Sequence, residues 1–178
     1  MSMRIPVVVG ILGLLAAPAL AQAVPSMQTS TTAGEKAAAT YFTEDSVGDV
    51  QLGRLGLAKA RDAAVRALAQ AMVRDHTRTA YAGLEVARAI GDDEAQFKAG
   101  DDNQIALTRL ARYTGARFDR EYVSTLVDAH KADIAAAEDT LDFATTPVLR
   151  EYLRTSIAID KRHLAMAEAA QAKVGTEH

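Results

Sequence analysis

From Glu35 onward, apolar residues recur three and four positions apart in long alanine- and leucine-rich stretches, and no segment alternates as a half-buried strand would. The pattern predicts an all-α protein. Thr32 and Glu35 have capping-box spacing, so a first helix starts there and carries Ala38, Phe42, Asp49, Leu52 and Gly56 on one face. Neither Gly nor Pro marks its end, yet a single helix from residue 35 to Ile90 would be about 80 Å long, twice what the rest of the chain can match. A tight turn is therefore expected near Ala60 to Asp62. Asp62 then caps a second helix with Val65, Leu68, Met72, His76, Ala80, Gly83 and Ala87 as its stripe, and Gly91 ends it.

The segment "GDDEAQFKAGDDNQ" (91–104) reads as a loop, after which Asp101 caps a short helix through Ala111 that Gly115 ends. A third long helix, from about Phe118 to Phe143, has Phe118, Tyr122, Leu126, His130, Ile134, Ala137 and Leu141 in line. Thr146 as cap and Pro147 at the first helical position open the last helix, with Leu149, Leu153, Ser156, Asp160, His163 and Ala167 on its inner face and Gly175 at its end. Short connections within each pair make an antiparallel four-helix bundle over residues 35–175 the economical packing, with a short extra helix in the long connection. The glycines of "LGRLG" (52–56) fall inside the first helix, where they permit close helix approach.

The start of the chain has a different pattern. Arg4, an apolar run from Ile5 to Leu20 and small residues in A-x-A spacing predict a secretory signal peptide over 1–23. Cleavage fits after Ala21 or after Ala23. The run is too short to span a bilayer and is broken by Pro6 and Pro18, so the expected mature protein has no integral membrane segment. Residues 24–34 read as a polar, flexible lead-in. The chain has no cysteine, which excludes a disulfide framework and a lipid-anchored cysteine. Only Arg4 among the charged residues precedes the lead-in, so the expected mature chain has 19 basic and 23 acidic residues, a net charge of −4. That argues against nucleic acid as a partner.

Candidate chemistry comes from the stripes themselves. The three histidines other than His178 lie on three different helices, each where an apolar residue is due: His76, His130 and His163. The first helix contributes Asp49 on its inward face. Imidazoles and a carboxylate on facing helices are how helical bundles hold first-row transition metals, so these four are the candidate ligands of one metal ion. Asp133 follows His130 by three residues and Asp160 precedes His163 by three, which makes them candidates to fix the tautomers of those rings. The alternative is that each histidine is a core residue hydrogen-bonded to a neighbour.

A di-iron centre needs Glu-x-x-His pairs on two helices and a glutamate on each of the other two. The residues three before the histidines are Val73, Val127 and Asp160, so the sequence argues against one. It also argues against haem, since no C-x-x-C-H attachment exists and Met72 shares its helix with His76. No nucleophile–base motif or phosphate loop names a reaction.

The stretches "DVQLGRLGLAKA" (49–60), "VRALAQAMVRDHTRT" (65–79), "GARFDREYVSTLVDAHKADI" (115–134) and "PVLREYLRTSIAIDKRHLAMAE" (147–168) resemble DUF4142, a bacterial exported, ferritin-like family without an established reaction. Met-x-x-Asp-His at 72–76 and Phe-Asp-x-x-Tyr at 118–122 are the most specific pieces. The resemblance implies a ferritin-like bundle in the periplasm or outer envelope of a bacterium. The family more often carries Glu where this chain has Asp49, which reaches about one methylene less far. Beside metal binding stand a non-enzymatic interaction or stress-protective module, with a protein partner or a second copy, and a pH-responsive bundle.

Overall fold

The computed structural model describes residues 33–93 and 95–175; the expected signal peptide, most of the lead-in and Thr32 lie outside them. Among the described residues there are five helices and no strand: α1 (Ala33–Lys59), α2 (Ala63–Ala89), α3 (Asp101–Leu110), α4 (Gly115–Phe143) and α5 (Pro147–Val174). None of them is long and apolar enough to cross a membrane.

The expected turn falls where length required it. Asp62 accepts hydrogen bonds from the backbone of Ala64 (2.7 Å) and Val65 (3.1 Å), which starts α2, and Gly91 takes a positive φ of 80° just beyond its end. Gly115 is a correction: with φ 61° it opens α4 instead of ending α3, which stops at Leu110. Glu35, expected as the capping-box partner of Thr32, which lies outside the described residues, also directs its carboxylate to a turn distant in the sequence. It accepts hydrogen bonds from the backbone and hydroxyl groups of both Thr145 and Thr146, at the start of α5. Burial raises the Glu35 pKa, but the donors at Thr146 and Thr145 outweigh it and hold the carboxyl down at about 2.

The other hairpin turn is held in the same way. Asp119, near the start of α4, accepts from the backbone N–H of Arg61 and of Asp62. Arg66 donates to the carbonyls of Leu57 and Ala60 at one turn, and Arg150 donates to those of Leu141 and Ala144 at the other. Glu35 and Asp119, Arg66 and Arg150, Asp49 and Asp133, and His76 and Asp160 are each separated by 84 residues. The hairpins α1–α2 and α4–α5 are thus an internal repeat, and each supplies the carboxylate that clasps the turn of the other.

The hairpins pack through α2 on α5 and α1 on α4, and α3 lies against α1 and α4. Gly56 allows one close approach, since a Cβ there would lie 2.6 Å from the Tyr122 phenol. The apolar core divides in two. One cluster includes Leu52, Leu68, Met72, Phe118, Leu126 and Val174; the other includes Phe42, Val86, Ile90, Leu149, Leu153 and Ile157. On each long helix some of the inward polar residues, among them Asp49, His76, His130 and His163, fall between the parts belonging to the two clusters, and these form a layer across the interior.

Candidate functional site

His76 on α2, His130 on α4 and His163 on α5 are fully buried or nearly so, as their places in the apolar stripes require. They meet. One nitrogen from each and one oxygen of Asp160 lie within 4.8 Å of one another. His76 Nε2 is 3.0 Å from His163 Nδ1, 3.3 Å from Asp49 Oδ2 and 3.9 Å from Asp160 Oδ1. Donors around a tetrahedral ion with bonds of 2.0–2.1 Å stand about 3.3 Å apart, so the His76–His163 spacing matches a coordination sphere and the wider ones require the side chains to draw together.

The tautomers of His130 and His163 turn a lone pair to the centre, whereas His76 Nε2 donates to His163 Nδ1 and leaves its own Nδ1 without a partner among the described residues. His130 Nδ1 lies 2.8 Å from the Leu126 carbonyl and donates to it, which leaves Nε2 as the basic nitrogen; Nε2 is buried without a hydrogen-bond partner among the described residues. His163 Nε2 lies 3.2 Å from Asp75 Oδ2 and donates to it, so its Nδ1 lone pair faces His76. Burial lowers the pKa of all three rings, and that of His130 reaches about 4. Neutral imidazoles are the form that binds metal.

Sequence reasoning missed Asp75. Its carboxylate is 1% exposed and accepts from Arg74 (2.8 Å), Arg162 (2.9 Å), Arg78 and His163. Burial raises its pKa, but hydrogen bonds from Arg74, His163 and Arg162 outweigh this and keep it ionised well below the usual carboxylate range. The signal was present, since arginines precede Asp75 by one residue and follow it by three; adjacency to His76 turns it toward α5 and away from the centre.

The expected supporting carboxylates stand elsewhere. His163 is held by Asp75, not Asp160, and His130 by a carbonyl one turn back, not by Asp133. A ring directed along its own helix finds that carbonyl before a carboxylate three residues ahead. Asp160 has an oxygen in the central group itself. Asp49, expected as a fourth ligand, touches His76 but also belongs to a second set, in which it, Asp133 and Asp45 each place an oxygen within 4.8 Å of the others. Burial raises the Asp49 pKa; it also lifts Asp133 to about 7 and, with the Asp133 charge adding to it, Asp160 to about 8.

The family described as Domain of unknown function (DUF4142) matches residues 19–170. The chain belongs to that family. No curated protein and no solved structure matches it. Within the matched residues, Asp75 and His76 form part of the polar layer, Asp119 clasps the first turn, and Tyr122 donates to the Leu52 carbonyl at 3.1 Å.

Proposed function

We propose that this is an exported envelope protein whose long helices form a ferritin-like antiparallel bundle, with α3 in its long connection, and that it binds one first-row transition-metal ion through His76, His130, His163 and Asp160. The observation that carries the metal reading is the convergence of three neutral imidazoles and a carboxylate inside a cysteine-free core, two of the rings having a buried nitrogen, His76 Nδ1 and His130 Nε2, without a partner among the described residues. Three nitrogens and one oxygen suit zinc, copper, iron or nickel, and a single anionic ligand leaves a divalent site at +1. Asp75 fixes His163 and supports its basicity from outside the coordination sphere. A partner module draws less support, since the exposed large apolar residues Tyr41, Tyr81, Phe97, Ile105, Phe143 and Val148 are spread over all five helices and the 90–100 loop.

Metal content by plasma mass spectrometry tests this on the mature protein made through its own export route, beside a variant with all three histidines changed to alanine. About one metal per chain is expected in the parent and none in a folded variant. Parent protein without metal would return the histidines to the core. Fractionation of the producing cells, with N-terminal sequencing of the product, tests export; uncleaved protein in the cytosol would refute it.

A further inference from the structure

The acidic set is the second place where this chain gathers ligand atoms, and it differs from the first in chemistry and access. Asp45 and Asp49 come from α1 and Asp133 from α4, and all three line a cleft of about 350 Å³ that is also walled by Asn103 of α3. Asp133 is only 7% exposed, and no hydrogen bond or ion pair from a described residue reaches its carboxylate, which faces the cleft. Asp49 is 2% exposed, and among the described residues His76 is the one side chain that could donate to it. Asn103 is the only described donor on Asp45, at 3.5 Å. Among the described residues no lysine or arginine forms an ion pair with any of the three. A buried carboxylate without a donor is costly to ionise unless a cation accompanies it; otherwise it takes up a proton.

We propose that this cleft binds a second divalent cation, one that prefers oxygen ligands, through Asp45, Asp49 and Asp133. Bonds of about 2.1–2.5 Å, the range for magnesium to calcium, place ligand oxygens up to about 5 Å apart, which the set satisfies. Three carboxylates and no imidazole select a hard ion of that class or manganese, whereas the histidine site selects softer metals. Asp49 joins the two, since its oxygen is 3.3 Å from His76 Nε2, and an ion held in the cleft stands in series with the buried site. That series relation rests on the metal reading above; occupancy of the acidic set does not.

The probe is manganese(II) alone, titrated into the full mature chain and followed by loss of the free-ion paramagnetic resonance signal. The variants are Asp45→Asn with Asp133→Asn, which leaves Asp49 in place, and separately His130→Ala. Circular dichroism verifies that each is folded. Manganese affinity should fall by about tenfold or more in the double asparagine variant, through lost ligand charge, and stay within about threefold of the parent in His130→Ala. Unchanged affinity in the double variant, loss of affinity in His130→Ala, or no manganese binding by the parent would each overturn the proposal. Cobalt(II) absorption reports the histidine site independently. It should survive in the double variant and vanish in His130→Ala; no cobalt spectrum in the parent would refute the histidine reading while the manganese arm still decides this one.

Discussion

Two neighbourhoods of the polar layer solve the problem of a buried carboxylate in opposite ways. Asp75 is surrounded by three arginines and a histidine, whose side chains at positions 74, 78 and 162 are 52–70% exposed, so the charge is compensated and the cations keep their hydration. Among the described residues no lysine or arginine pairs with Asp49, Asp133 or Asp160, whose neighbours include one another, Asp45 and neutral imidazoles. The first arrangement is complete as it stands. In the second, burial raises the carboxylates' pKa values, a cost that a bound cation would relieve.

The contrast is open to direct attack. Asp75→Ala has the largest expected effect: it strips a buried His163 N–H of its acceptor and separates three arginines from their anion, and urea unfolding should show a loss of about 3 kcal/mol. It should also weaken metal binding by about 10- to 100-fold, since the His163 ring loses its orientation. Asp133→Asn should act in the other direction. The metal-free protein should gain about 1–2 kcal/mol at pH 7.5, because an uncompensated buried acid is removed. A loss there would mean that Asp133 has a stabilising partner.

The pH dependence sharpens the same point. Asp133 and Asp160 have folded pKa values near 7 and 8, raised above the unfolded value of about 3.9, so the folded state holds more protons and their contribution is lost as pH rises through those values. The three histidines have lowered values, so they favour folding as pH rises, but only up to about 6.5. Between about pH 6.5 and 8 the acids act alone, and the Tm of the metal-free protein should fall by a few degrees. Metal should abolish or reverse that slope, because its ligands bind deprotonated. A flat metal-free profile would count against the raised carboxylates. The smallest effect belongs to Arg74→Ala, which should leave the urea midpoint close to that of the parent, since two other arginines remain on Asp75 and the side chain is solvent-exposed.

Much of the fold was legible because helical periodicity and caps are local. The stripes containing His76, His130 and His163, the turn at 60–62 and the Thr146–Pro147 start could all be read from spacing. What could not be read was mostly non-local. Glu35 has the spacing of a capping-box partner, and its carboxylate also holds residues 145 and 146, a pairing that no local rule announces. Asp133 and Asp160 were placed on the correct faces, but a helical wheel carries no axial register between helices, so their roles were exchanged with those of Leu126 and Asp75. The 84-residue offset was the one long-range signal available. Aligning the chain on itself pairs His76 with Asp160 and Glu35 with Asp119, which would have put Asp160 at the centre and the two clasps at the turns.

Those clasps also bear on how the molecule assembles. Each hairpin turn is pinned by a carboxylate from the opposite half of the chain, so neither half contains what it needs to finish its own bend. A fragment ending in the 92–99 region would have Glu35 but nothing to hold Arg61 and Asp62, and the remaining fragment would have the reverse deficit. The two halves are reciprocal templates, and the chain should melt as one unit, its turns ordering only when the halves have found each other.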